Sequence, residues 1–125
     1  MGNHVDLGAR GEALAASYLE DQGYDIIERN YRFKRAEVDL ICYDPTAKPN
    51  GDLVFVEVKT RSGLGYGAPE DAVTESKMEQ LVKVSEAYLH QNRMERSSAR
   101  FDVIAIVLRQ GHAPDIEHIQ HAFWA

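Results

Sequence analysis

Cysteine is almost absent from this chain. Cys42 is its one thiol, so no internal disulfide can form and no cysteine-based metal cluster exists; a lone thiol suits a reducing compartment. No apolar run approaches the roughly 20 residues that a membrane-spanning helix needs. The segment from Met1 to Arg10 lacks the apolar stretch of a secretory leader, and Asp6 stands where a myristoylation signal wants Ser or Thr. A cytoplasmic protein without membrane association is the expectation. Repeats and low-complexity tracts are missing as well. Positive charge is scarce: 14 Lys and Arg face 20 Asp and Glu, for a formal net charge of -6. Proteins that grip nucleic acid by neutralising phosphates are usually basic. Charge alone therefore argues against a nucleic-acid partner, unless the acids are scattered over solvent faces or gathered around a metal.

What is present is ordinary in amount. The 125 residues, 44% hydrophobic and 27% charged, suit one domain spanning 1–125. A chain of this size buries roughly two-thirds of its unfolded surface and builds a core without staples. From Gly8 to Asp21, Ala13, Leu14, Ala16, Tyr18 and Leu19 recur among charges, an Ala-rich helix that Gly23 stops. Tyr24 to Phe33 reads as a strand. Ala36 to Tyr43 alternates, with Val38, Leu40 and Cys42 on one face and Glu37, Asp39 and Ile41 on the other. Asp44 to Asp52, carrying Pro45, Pro49, Asn50 and Gly51, is a turn between antiparallel neighbours.

Leu53 to Arg61 carries the most information. Leu53 to Val56 is apolar on both faces, as in a strand covered on both sides. Then Glu57, Lys59 and Arg61 take the Phe55 side, while Val58 and Thr60 stay with Val54 and Val56. Ser62 to Pro69 is a Gly-rich loop, in which Tyr66 and Gly67 could close over a substrate. Thr74 to Asn92 is an amphipathic helix with Met78, Leu81, Val82, Tyr88 and Leu89 at helical spacing. Phe101 to Leu108 is a buried strand and Ile116 to Trp124 a terminal one. Helix, three strands, helix, strand, strand makes an α/β sandwich of two or three layers around a mixed sheet.

If the second and third strands pair as a hairpin, Asp39 shares a face with Glu57 and Lys59. Two carboxylates at the end of an apolar strand are costly neighbours. Unit charges ~4 Å apart interact by about 4 kcal/mol at an effective dielectric near 20. A divalent cation relieves the repulsion, and hard oxygen ligands without Cys or a His pair select Mg²⁺ or Mn²⁺. Asp39, Glu57 and the Val58 carbonyl would hold the ion, and a phosphodiester is the bond such an ion activates. Lys59 would orient or help deprotonate a water, or stabilise charge on the phosphate. Glu12, on the first helix, would add a further carboxylate, and Glu37 a supporting one. The plain alternative is a cross-face ion pair on a solvated sheet; against it, these charges interrupt a buried run.

Several segments together resemble the YraN-like family of bacterial endonucleases. They are Leu7-Gly8-x-x-Gly11-Glu12-x-x-Ala15, Arg29-Asn30-Tyr31-Arg32, Glu37-Val38-Asp39-Leu40-Ile41, Val54-Phe55-Val56-Glu57-Val58-Lys59-x-Arg61 and Arg100-Phe101-Asp102-Val103. That family is similar to archaeal Holliday junction resolvases and to the restriction-endonuclease-like superfamily with its PD-(D/E)xK signature. The resemblance implies an αβββαβ restriction-endonuclease-like core and metal-dependent cleavage of DNA, in preference to RNA, at junctions or other branched structures. It makes Asp39, Glu57 and Lys59 the signature residues, Glu12 the extra acid of the first helix, and a symmetric homodimer the expected assembly. Two departures stand out: Ala36 replaces a common Gly, and no Pro precedes Asp39.

Arg29, Arg32, Lys34 and Arg35, interleaved with Tyr31 and Phe33, form the densest basic patch. With Arg61 they are the candidate phosphate contacts, the alternative being ordinary surface arginines. Lys77 and Lys83 read as surface lysines, although Lys77, near the helix start, could face the cleft. His118 and His121 have the three-residue spacing of a helical ligand pair but sit where a strand is expected, so with His112 they read as tail residues and not as a zinc set. Phe123 and Trp124 would pack the last strand or a partner, and Cys42 the core. Three functions compete: a structure-selective nuclease, a catalytically silent nucleic-acid-binding or adaptor module that keeps the nuclease fold, and an enzyme that uses the same cluster on another phosphate-containing substrate.

Overall fold

Helix α1 (Asn3–Asp21) stops where glycine permits it. Gly23 adopts φ +93°, its N–H bonds the Glu20 carbonyl at 3.0 Å, and the Tyr24 N–H bonds Leu19 at 3.0 Å. This paired closure is the Schellman motif, which satisfies carbonyls the last turn would leave bare. The computed structural model describes residues 3–63 and 73–123, with side chains from residue 7; Tyr66, Gly67 and Trp124 lie outside the described residues. The chain continues through β1 (Asp25–Phe33), β2 (Ala36–Asp44) and β3 (Asp52–Arg61) into α2 (Glu75–Gln91), then β4 (Ala99–Val107) and β5 (Asp115–Phe123).

The strands lie in the order β1-β2-β3-β4-β5. Hairpin neighbours are antiparallel, whereas β3 and β4 run parallel. A parallel pair needs a crossover connection, and α2 supplies it. Each helix covers one face of the sheet. Ala15, Ala16 and Leu19 of α1 pack with Leu40, Cys42, Val54, Val56, Ile104 and Ile106. Leu81, Val84 and Tyr88 of α2 pack with Ile41, Phe55 and Phe101 on the other side. The result is a three-layer α/β sandwich whose α1β1β2β3α2β4 run is a restriction-endonuclease-like core, with β5 added at the edge. Buried on both faces, β3 has the continuous apolar run its position demands.

The alternation expected along β2 fails at one place. Leu40 and Cys42 face α1, but Val38 packs with Ile41 and Phe55 on the α2 side. The pleat changes phase at Asp39, and there β2 and β3 part company: Leu40↔Val56 is the last pair of their register. Beyond it, the Asp39 carboxylate accepts the Val58 N–H at 2.8 Å, so a side chain takes the place of a ladder carbonyl.

The opposite end of the sheet is tied ionically. Arg100, 4% exposed, donates to Asp44 and Asp52 at 3.0 Å each, to Asp102 at 3.1 Å and to the Tyr24 hydroxyl at 2.7 Å. His118 Nε2 lies 2.7 Å from Asp102, whose other oxygen accepts the His121 N–H at 3.2 Å. Two of the expected tail histidines thus help to fasten β5 to β4. The expected turn ends, Asp44 and Asp52, are buried members of the same network. Phe123 stacks on Phe101 with ring centroids 4.6 Å apart.

Candidate active site

Strand β3 carries Glu57 and Lys59 past the point where β2 leaves it, which puts Glu57 beside Asp39 at the open end of the β2–β3 ladder. Glu57 is 5% exposed. Its Oε1 is buried without a hydrogen-bond partner. Burial, then the neighbouring Asp39 charge, push its pKa from 4.5 to about 7. Burial also raises Asp39, although the bond from the Val58 N–H opposes the shift. The two carboxyls interact directly, and a charge on either makes ionisation of the other harder. This is the pattern of an acid pair short of positive charge.

One cation meets that need in part, and it was read as a surface residue. Lys77 Nζ lies 3.6 Å from Glu57 Oε1, an ion-pair separation beyond hydrogen-bond length. Thr74 caps α2 by accepting the Lys77 N–H at 3.2 Å, which fixes the helix start over the acids. The one sequence signal was Lys77's place in the first helical turn after the loop. Lys59, half-buried, acts on Glu57 electrostatically from the same strand, in the direction that lowers its pKa.

Glu12 reaches the same neighbourhood because α1 lies close on β3. A Cβ at Gly11 would overlap the Thr60 side chain, 2.8 Å from its Cβ, so only glycine allows this approach. Burial, then the Asp39 charge, raise the Glu12 pKa. Asn30, at φ 53°, bridges the outer acids: oriented to satisfy both ends of its amide, its nitrogen donates to Glu12 Oε1 and to Glu37 Oε2 at 3.2 Å each. Arg32 Nη2 lies 3.7 Å from Glu37 Oε1. The Val58 backbone, expected as a ligand through its carbonyl, meets Asp39 through its N–H.

Other basic candidates are spread more widely. Arg29, Lys34 and Arg35 are exposed on β1 and the β1–β2 turn, and Arg61 ends β3. Among the described residues no three of His, Cys, Asp and Glu converge as a ready metal cage. The donor set near the centre is two carboxylates, with Glu12 and Glu37 tied together through Asn30.

Residues 11–106, which contain Glu12, Asp39, Glu57, Lys59 and Lys77, match the family described as "Uncharacterised protein family UPF0102". The chain belongs to family UPF0102. The resemblance to the YraN-like family is thereby borne out. A UPF0102 protein of Rhodococcus opacus is 48% identical over 124 residues, covering 98% of this chain and 100% of the relative. One from Geobacter sulfurreducens is 50% identical over 117 residues, with 94% and 88% coverage. A third, from Trichlorobacter lovleyi, is 48% identical over 117 residues, with 94% and 89% coverage. UPF0102 similarity thus runs along nearly the whole chain. Among the described residues no helix is long and apolar enough to cross a membrane.

Proposed function

We propose that this UPF0102 protein is a divalent-metal-dependent nuclease that hydrolyses phosphodiester bonds of DNA at the Asp39–Glu57–Lys59 centre. The observation that carries the reading is the buried Glu57 Oε1 beside Asp39: it has no hydrogen-bond partner and only Lys77, 3.6 Å away, as an ion-pair partner. Burying two neighbouring carboxyls with one cation beyond hydrogen-bond length is costly, and a structural role alone does not repay it. Mg²⁺ or Mn²⁺ fits the donor set: Mg²⁺ characteristically takes one or two carboxylates and completes its sphere with waters and substrate phosphates.

Asp39 and Glu57 would hold the ion. When bound, it supplies Lewis-acid activation of the phosphate and a lowered pKa for the attacking water. Lys59 is the residue to orient that water or to neutralise charge that grows on the phosphate oxygens. Asp39 keeps its place by the Val58 bond, which fixes its carboxylate without using both oxygens. Glu12 and Glu37, joined through Asn30, shape the outer wall on the α1 and β2 side. Branched DNA is the preferred substrate class on this reading. A silent nucleic-acid-binding or adaptor module is the second reading, favoured by the net charge of -6.

A labelled panel of single-stranded, duplex, flap and four-way-junction DNA, with matching RNA, separates them. It is run with Mg²⁺ or Mn²⁺ on wild type, Asp39→Ala and Lys59→Ala, with folding checked by circular dichroism. The expected result is cleavage by wild type that is lost in both folded variants. No cleavage with either metal, or equal cleavage by the variants, overturns the nuclease reading in favour of the adaptor.

A further inference from the structure

The sheet brings several elements to the end that holds the acids. The β1–β2 turn, the start of β2, the end of β3 and the end of β4 all lie there, as the pairings Phe33↔Ala36, Leu40↔Val56 and Arg61↔Val107 require. The acids occupy the middle, on β2 and β3. On the β1 side stand Arg32, Lys34 and Arg35. The opposite side, beyond β3, carries a second cationic feature outside the catalytic centre.

It is a cleft of about 860 Å³ lined by Arg10, Arg109 and His112, together with the Ser62 hydroxyl and Leu7, Leu108, Gln110, Gly111 and Pro114. Arg10 precedes the Gly11 that seats α1 on Thr60, and Ser62 follows Arg61 on β3, so the cleft opens where α1, β3 and the β4–β5 loop meet. The Leu108 N–H bonds the Arg61 carbonyl at 2.7 Å, which fixes that loop to the end of β3. Arg109 Nη2 pairs with Asp115 at 3.1 Å, while its Nε is buried and without a hydrogen-bond partner. No carboxylate lines the cleft among its described residues. In a chain of net charge -6, such a lining selects an anion.

The spacing selects an extended one. Strands lie ~4.8 Å apart, so the three steps from β1 to β4 span about 14 Å. One strand of a duplex carries a phosphate every ~3.4 Å along the axis. A polynucleotide laid across the sheet end would therefore place about four phosphates between the two cationic flanks, with the acid pair beneath them.

We infer that Arg10, Arg109 and His112 form a phosphate-backbone subsite that holds a nucleic-acid strand on the β4–β5 side of the acids, opposite the Arg32–Arg35 turn. The inference rests on the nucleic-acid part of the proposed function but not on cleavage. Its test is binding in EDTA, where no cleavage can intervene. Fluorescence anisotropy of a short fluorescein-labelled duplex, from ~50 to ~200 mM NaCl, reads affinity and salt slope for the full chain. Arg10→Gln decides, because it leaves the Arg109–Asp115 pair intact; Arg109→Gln is added to it, and Arg96→Gln, near the start of β4 at the far end, removes the same charge elsewhere. Arg10→Gln should lower the slope of log K against log salt by about 1, and the double variant by about 2. Arg96→Gln should leave the slope unchanged, and a mononucleotide at equal phosphate concentration should compete poorly. Equal losses from Arg96→Gln and Arg10→Gln, or no duplex binding by wild type, would overturn the subsite. A wild type that cleaves DNA while Arg10→Gln keeps its slope would overturn the subsite and spare the nuclease. Duplex binding with the expected slopes but no cleavage would do the reverse.

Discussion

Replacing Glu57 by Gln should stabilise the metal-free protein at pH 8 and do nothing for it near pH 4.5. Glu57 titrates at 4.5 ordinarily and at about 7 in the fold, chiefly because it is buried and then because Asp39 is beside it. A carboxyl whose folded pKa is raised keeps its proton after the unfolded chain has released it. Stability is therefore intact below pH 4.5, falls as pH rises towards 7, and stays low above it. The displacement from 4.5 to about 7 corresponds, at 1.36 kcal/mol per pH unit, to about 3 kcal/mol. Gln keeps the volume without the titration, and the background of other ionisations largely cancels between the two proteins. Urea unfolding in EDTA at pH 4.5, 6 and 8 should then show a stability difference that opens by about 3 kcal/mol between the first and last. Thermal melts should separate by ~10 °C at pH 8 for a domain of this size. Adding Mg²⁺ at pH 8 should raise the wild type by mass action and leave Glu57→Gln nearly unmoved. A difference that stays constant with pH, or a Gln variant weaker than wild type at pH 8, would refute the view that this acid is held against its electrostatic preference.

Other perturbations have equally definite outcomes. Arg100→Met should cost about 3–5 kcal/mol in urea unfolding, because it strands buried Asp44, Asp52 and Asp102 together; a loss under 1 kcal/mol would mean that those carboxylates find water. Gly11→Ala should destabilise by about 1–3 kcal/mol, and Gly11→Ala/Thr60→Ala should recover part of it, since Thr60 is what the new methyl meets. Lys77→Met should lower stability at pH 8 more than at pH 5, as Glu57 loses its paired cation once ionised; equal losses at both would assign Lys77 to packing alone. Asp39→Asn should retain the fold better than Asp39→Ala, because the amide oxygen can still accept the Val58 N–H.

Much of the architecture was legible because it rests on local pattern. The run Leu53–Val56 announced a strand buried on both faces, and Gly23 announced the end of α1. Glu57 and Lys59 stand out in the sequence because charges interrupt that run, and Asp39 because a β2–β3 hairpin brings it to Glu57. Val38 misled because strict alternation presumes a continuous ladder, and β2 leaves its partner at Asp39. Lys77 was legible only in part: its place at the helix start allows it to face the cleft, but a helical lysine meets a strand glutamate only through the crossover, and neither segment names the partner. The Arg100 network was opaque as well, since two of its carboxylates, Asp44 and Asp52, come from turn ends that resemble solvated loops.

The same Arg100 network sets the two ends of each central strand apart. Leu53, at the start of β3, has its N–H bonded to the Ser98 carbonyl at 2.8 Å beside the buried ion cluster. Val58, five residues on, keeps its pairing with Ile104 of β4 but meets β2 only through the Asp39 carboxylate. Local openings of a protein follow its least cooperative contacts, so amide exchange along β3 should quicken from its beginning to its end. One strand thus has a pin at its root, where it is paired on both sides, and a tip paired on the β4 side. Length changes in the 45–51 loop would be transmitted first to the pin, and through it to the whole sheet.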